Sequence, residues 1–263
     1  MSVIQKNNVK VKGAGQRAML FAHGFGCDQG MWRFVAPAFE REFRTVLFDH
    51  VGAGRADLAS YDPLRYASLE QYASDVIDIC RELELERPVF VGHSVSAMIG
   101  ILAAIRAPEL FSQLVLIAPS PCYIDDGEYQ GGYSRADIDS LLDFLDDNFV
   151  AWSQAMAPIM MGNSGRPELG RELESSFCRT DPTAARQFAR TTFLSDNRAD
   201  LAKVQTPALI LQCSDDAIAP PAVGRFVHAA LAGSTLVHLS AKGHCPNLSA
   251  PAETVAAIYS YLT

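Results

Sequence analysis

The sequence predicts an α/β fold: a mainly parallel sheet with helices on both faces, interrupted by an inserted block of helices. Three observations carry this. Short apolar runs rich in β-branched residues alternate with stretches of helical length, the pattern of strand–helix–strand units. The alternation stops near residue 121 and resumes near residue 201, with only helical stretches between. Residues able to do chemistry sit directly after predicted strands, which an open parallel sheet gathers along one edge.

The chain has 263 residues, enough for one large α/β domain with an insertion. Hydrophobic residues make up 49% and charged residues 20%, which suits a water-soluble protein with a sizeable core. The formal net charge of −8 argues against nucleic acid or an anionic membrane surface as partner. No apolar run is long enough to span a bilayer, and residues 1–8 lack a signal-peptide core, so a cytoplasmic location is expected. The six cysteines (27, 80, 122, 178, 213 and 245) are scattered without a CxxC pair. They read as small buried hydrophobes in a reducing compartment, with Cys27 and Cys245 nearest the chemistry.

The elements follow in order. Asn8–Lys12 alternates like a strand with one exposed face. Ala18–Ala22 is continuously apolar, as in a strand buried on both faces, and runs into His23-Gly24-Phe25-Gly26. Met31–Arg41 predicts a short helix and Thr45–Asp49 a strand. The Gly52-Ala53-Gly54 that follows lacks the third glycine and the helix of a nucleotide site, and reads as a turn. Ser68 and Gln71 form a capping-box pattern at the start of a helix. Its Leu69, Tyr72, Ala73, Val76, Ile79, Cys80 and Leu83 share one face, and Glu70, Asp75, Asp78, Arg81 and Glu82 the other. Val89–Val91 is a buried strand that breaks at Gly92. The helix from Val95 to Arg106 is apolar almost all round, so it belongs at the centre of the molecule. Leu114–Ala118 is the next strand.

Residues 121–200 carry helical stretches at Arg135–Phe149, Ala151–Met161, Pro167–Phe177 and Pro182–Leu194, separated by glycines and prolines. A helical block between two core strands predicts a cap of residues 121–200 on a core of 1–120 and 201–263. A second independent domain is the alternative, but about 80 residues of helix would hold only a thin core. Pro207–Gln212 resumes the strands. A helix (Val223–Leu231), a strand (Thr235–Leu239) and a final helix (Pro251–Tyr261) complete the chain.

A strand, a tight turn with serine at its apex and a helix form a nucleophile elbow, and Ser94 occupies that apex. A serine hydroxyl needs a base within hydrogen-bond reach, and the base needs an acid to hold its tautomer. His244, after a strand and a glycine, is the candidate base. Asp216 is the favoured acid because it stands four residues before Pro220 and 28 before His244. Asp215 and Asp49 remain alternatives. The chain order Ser–Asp–His matches this architecture. The amides of Val95 and Phe25 are the expected oxyanion donors. In the elbow pattern Gly-x-Ser-x-Gly the fifth position is Ser96, still small enough for a close strand–helix approach. His23 is expected to brace the glycine turn, and His93 to pack beside the elbow. No pair of histidines has metal-ligand spacing, and the chemistry calls for no cofactor. Phe25, Tyr123, Tyr133, Trp152, Met156, Met160, Phe177 and Phe193 together predict an apolar pocket over Ser94 for a small hydrophobic ester or lactone.

The stretches His23–Gln29, Gly92–Gly100, Gln130–Tyr133 and Gly243–Pro246 resemble one branch of the α/β-hydrolases, over nearly the whole chain. That branch contains the bacterial stress regulator RsbQ and the plant strigolactone and karrikin receptors. Ser176–Pro182 and Leu211–Asp216 look closer to the bacterial side. The resemblance implies an α/β-hydrolase fold, a four-helix cap, a Ser94–Asp216–His244 triad and a deep hydrophobic pocket. Phe25, Val95, Tyr133, Trp152, Phe177 and Phe193 would lie at its lining positions. Tyr133 stands where plant receptors usually carry Phe. RsbQ-like proteins imply a regulatory role with a PAS-containing phosphatase that controls a stress sigma factor. The alternative is a ligand-sensing signalling protein whose triad is slow and whose cap docks a partner. Cofactor-free haloperoxidase or C–C hydrolase chemistry would use the same three residues.

Overall fold

The computed structural model describes all 263 residues. A short helix α1 (Val3–Lys6) precedes strands β1 (Lys10–Lys12), β2 (Arg17–Ala22) and β3 (Phe43–Leu47). Helix α2 (Leu69–Glu82), strand β4 (Val89–His93), helix α3 (Val95–Arg106) and strand β5 (Gln113–Ile117) follow. Four helices then succeed one another: α4 (Arg135–Asp147), α5 (Phe149–Met161), α6 (Pro167–Cys178) and α7 (Pro182–Phe193). Strand β6 (Ala208–Asp215), helix α8 (Pro221–Ala230), strand β7 (Ser234–Lys242) and helices α9 (Pro246–Ser249) and α10 (Pro251–Leu262) end the chain.

The seven strands lie in the order β1-β3-β2-β4-β5-β6-β7. Strand β1 pairs antiparallel with β3, and every other neighbouring pair is parallel. Parallel neighbours need crossover helices, which explains why the central strands are apolar on both faces. The chain steps outward from β2 to β3 and returns through α2 to β4. The loops after β2 and β4 therefore diverge at one crevice, where such sheets bind ligands. Helix α3 buries every residue from Val95 to Ala104, in line with its all-round apolar sequence.

No strand forms between residues 121 and 200; only isolated bridges occur there. The two ends of this insertion meet. Asn197 N–H donates to the Pro121 carbonyl at 2.7 Å, and Cys122 bridges to Asp196. The inserted helices share one apolar cluster with the sheet: Trp152, Phe177 and Phe193 belong to the same cluster as Phe21 and Val91. No helix is long and apolar enough to cross a membrane.

Five local expectations fail. The stretch Met31–Arg41 is not one helix but two 3-10 turns, Gln29–Trp32 and Ala36–Phe39. Pro37 lacks the N–H that a continuing helix would need. Ser68 does cap α2 by position, yet its side chain makes no capping bond, so the capping box is absent. Gln71 instead donates to Asp75 at 3.0 Å. Asp75, expected on the wet face, is 1% exposed and also accepts from Lys6 Nζ (2.6 Å) and the Tyr66 hydroxyl (2.7 Å). Three donors replace its hydration, which is what makes a buried carboxylate tolerable. Strand β1 shows solvent on both faces, because nothing covers this sheet edge. Five cysteines are buried and free, but Cys178 is exposed at the end of α6.

Candidate active site

The residues predicted to meet do meet. Ser94 sits between β4 and α3 with φ 57° and ψ −124°, a left-handed conformation that a non-glycine residue adopts only under constraint. Its N–H donates to the Ile117 carbonyl of β5 at 2.8 Å. The turn is possible because Gly92 lies against the start of α3. A Cβ at Gly92 would come within 2.5 Å of the Ser96 carbonyl oxygen.

The Ser94 Oγ–H donates to His244 Nε2 at 2.7 Å, and His244 Nδ1–H donates to Asp216 Oδ2 at 2.8 Å. The other Asp216 oxygen accepts from the N–H groups of Ile218 (2.8 Å) and Ala219 (3.0 Å). These bonds settle which of the adjacent acids faces the histidine: Asp215 is exposed on the end of β6. Asp49 is buried elsewhere and holds its own loop, accepting from Gln29 N–H (2.8 Å) and Arg55 N–H (2.9 Å). The peptide groups of His244 are also held. Its N–H donates to the Met160 carbonyl on α5 at 2.7 Å. Its carbonyl accepts from His93 Nε2–H at 2.7 Å. His93 thus does more than pack beside the elbow: it ties the loop of the histidine to the loop of the serine. A histidine next to the apex serine was the available signal, but its partner lies 151 residues away.

The main-chain N–H groups of Phe25 and Val95 meet no acceptor within the protein. Both lie beside Ser94, one on the turn after β2 and one at the start of α3. The structure therefore brings together a hydroxyl, an imidazole, a carboxylate and two unpaired N–H donors.

A cavity lies over this group. It is lined by Phe25, Cys27, His93, Ser94, Tyr123, Met160, Leu173, Phe177, Thr192, Phe193, Ile218, His244 and Cys245. Of the residues expected there, Phe25, Tyr123, Met160, Phe177 and Phe193 line it. Trp152, Tyr133, Met156 and Val95 do not. Trp152 stands behind the wall, edge-on to Phe25 (5.9 Å) and Phe177 (5.2 Å). The Tyr133 hydroxyl donates to the Ala217 carbonyl at 2.8 Å, so its polar end is spent on the acid loop. Met156 is half-buried outside the cavity, and the Val95 side chain packs into the core. The cavity is also smaller than the deep pocket that the resemblance implies. The space open to the centre of a water molecule is about 20 Å³, roughly what one water needs. Aromatic rings fill the rest: Phe25 contacts Trp152, Phe177, Phe188 and Phe193 at centroid distances of 5.7–6.1 Å.

Burial pushes the Cys27 thiol up to about 12, with the Asp28 carboxylate adding to the effect. It pushes Cys245 well above its usual range. Neither thiol competes with Ser94 as a nucleophile near neutral pH. Burial, reinforced by the charge of neighbouring His244, lowers His93 to about 3. Burial also lowers His23 and His50. These three imidazoles are neutral in the folded chain but titrate near 6.5 once unfolded. The unfolded state therefore binds more protons below that pH, and stability must fall as pH falls. The urea midpoint is expected to stay level from pH 8 to 7 and to decline steadily from about pH 6.5 toward pH 4. A level midpoint down to pH 4.5 would contradict buried, neutral imidazoles.

The Alpha/beta hydrolase family model matches residues 19–258. The chain belongs to that family. Strigolactone esterase D14 of Arabidopsis thaliana is 38% identical over 253 residues, covering 96% of this chain and 94% of its own. Karrikin insensitive 2 receptor IA of Petunia hybrida is 36% identical over 256 residues, covering 97% and 93%. A hydrolase structure from Oleispira antarctica superposes with a TM-score of 0.97 at 40% identity, covering 99% and 96%. Among the relatives and neighbours of this alpha/beta hydrolase are esterases and a hydrolase at 40% identity, and the chain is an enzyme of the carboxylic ester hydrolase type.

Proposed function

We propose that this alpha/beta hydrolase cleaves a small hydrophobic ester or lactone through an acyl-enzyme on Ser94. The observation that carries the reading is the unbroken line Ser94–His244–Asp216, with bonds of 2.7 and 2.8 Å, beside two unpaired amides. His244 Nε2 takes the proton as Ser94 Oγ attacks the acyl carbon. Asp216 stabilises the imidazolium and keeps Nδ1 protonated. The N–H groups of Phe25 and Val95 stabilise the oxyanion, each worth about 10²–10³ in rate in comparable sites. His244 then gives its proton to the leaving oxygen, and water cleaves the acyl-enzyme by the same path in reverse. Residues 121–200 form the lid, and the apolar wall selects against charged acyl groups.

The test is covalent trapping. A fluorophosphonate is expected to add one copy per chain, on the peptide containing Ser94, and to stop p-nitrophenyl acetate turnover in proportion. Labelling elsewhere with full loss of activity would sink the reading.

A second reading, a ligand sensor with slow or single turnover, is supported by the receptor names of the plant relatives and by the small cavity. In that reading the lid docks a protein, which in the RsbQ-like case is a PAS-containing phosphatase controlling a sigma factor. Counting turnovers separates the two: many cycles per chain favour the enzyme alone, and a single burst favours the sensor.

A further inference from the structure

Ser96 stands where the elbow pattern carries glycine, and no step above uses it. It is fully buried and polar, which calls for an explanation. Its Oγ–H donates to the His23 carbonyl at 2.5 Å, and its Oγ accepts from His50 Nε2–H at 2.8 Å. His50 N–H in turn donates to His23 Nε2 at 3.0 Å, which leaves the ring proton of His23 on Nδ1. That Nδ1–H donates to the Gly24 carbonyl at 2.8 Å. The four bonds form a connected set: the His23 tautomer is fixed by main-chain groups, and that of His50 by the Ser96 hydroxyl, whose own proton is committed to the His23 carbonyl. His50 Nδ1 is buried without a partner, as a bare neutral nitrogen would be.

The consequence lies in the peptide planes. The Gly24 carbonyl and the Phe25 N–H belong to one planar, trans unit, so pinning the carbonyl fixes where the N–H points. Ser96 also follows directly on Val95, which bears the other free amide. Its side chain crosses from the start of α3 to the turn after β2. We propose that Ser96, supported by His50, is a positioning residue that sets the separation and direction of the two oxyanion donors. This rests on the acyl-transfer reading of Ser94. The serine replaces a glycine because it makes a strut that glycine cannot supply.

A strut of this kind acts on the transition state and hardly on the bound ester. An oxyanion donor works only when aimed at the place where charge develops. In Ser96→Ala, kcat for p-nitrophenyl acetate is expected to fall about tenfold with KM within about twofold of wild type. The affinity of an aryl boronic acid, which forms a tetrahedral anion on Ser94, should weaken by a similar factor. His50→Phe, which removes the supporting donor, should repeat the pattern, and His50→Gln, which can still donate, should restore most of it. The double variant should be no worse than Ser96→Ala, because the pair acts as a unit. Should Ser96→Ala fail to fold, His50→Phe carries the same expectation with the elbow untouched.

The proposal is overturned if Ser96→Ala, or His50→Phe in its place, keeps wild-type kcat while Ser94→Ala is inactive. It is also overturned if boronate affinity is unchanged, since the loss would then be structural. An active Ser94→Ala would instead remove the acyl-transfer reading, and the proposal with it.

Discussion

Replacing Ser94 with alanine is expected to lower kcat/KM on an aryl ester by about 10⁵–10⁶ and to leave the fold intact. The change deletes one hydroxyl and adds no bulk. His244 keeps its bond to Asp216, its N–H bond to Met160 and its carbonyl bond to His93, so the base stays where it was. Residue 94 keeps φ near 57°, because Gly92, the Ile117 carbonyl and α3 still define the turn. Alanine is no better suited to that conformation than serine. The melting temperature should therefore shift by only a few degrees, on the order of 1 kcal/mol or less. Aryl-ester kinetics and a thermal melt on the same preparation decide the matter. A residual rate above about one per cent of wild type, with contaminating esterase excluded by titration, would count against Ser94 as nucleophile.

Asp216→Asn is expected to cost about 10⁴ in kcat with little loss of stability. The asparagine carbonyl can keep accepting from Ile218 and Ala219, so the loop survives. Its amide then faces His244 with a donor where the carboxylate had an acceptor. The imidazole must move its proton to Nε2, and the nitrogen facing Ser94 Oγ can no longer take one. Asp215→Asn should be near wild type, since that side chain is exposed. Equal losses in the two variants would overturn the assignment of the acid.

How much of this was legible beforehand follows from the range of the interactions. The strands, the elbow and the order of Ser94, Asp216 and His244 depend on patterns a few residues long and could be read directly. Asp75 could not, because the donors that let it be buried come from Lys6, Tyr66 and Gln71, two of them outside its own helix. The same holds for His93, whose acceptor is on the loop after β7. The aromatic residues of 121–200 were recognisable as a set. Which of them faces the cavity depends on how α5, α6 and α7 are rotated against the turn after β2. Phe177 points in, Trp152 backs it, and Tyr133 is drawn aside by a carbonyl on the acid loop. Thr192, Leu173 and Ile218 gave no signal at all: two are ordinary helix residues of α7 and α6 and the third lies on the loop after β6, and only the placement of these segments around Ser94 singles them out.

The narrowness of the cavity has a kinetic meaning. The space over Ser94 open to the centre of a water molecule is about 20 Å³, so an acyl group that needs more room requires rings such as Phe177 to shift. If capture proceeds from a shifted, minority form, the measured affinity is the intrinsic affinity diluted by the fraction of chains in that form. A form populated at about one per cent weakens apparent binding about a hundredfold. The observed association rate should level off as ligand concentration rises, at a ceiling set by the protein's own motion. Substitutions that thin the aromatic wall would then raise that ceiling without touching a single reacting atom.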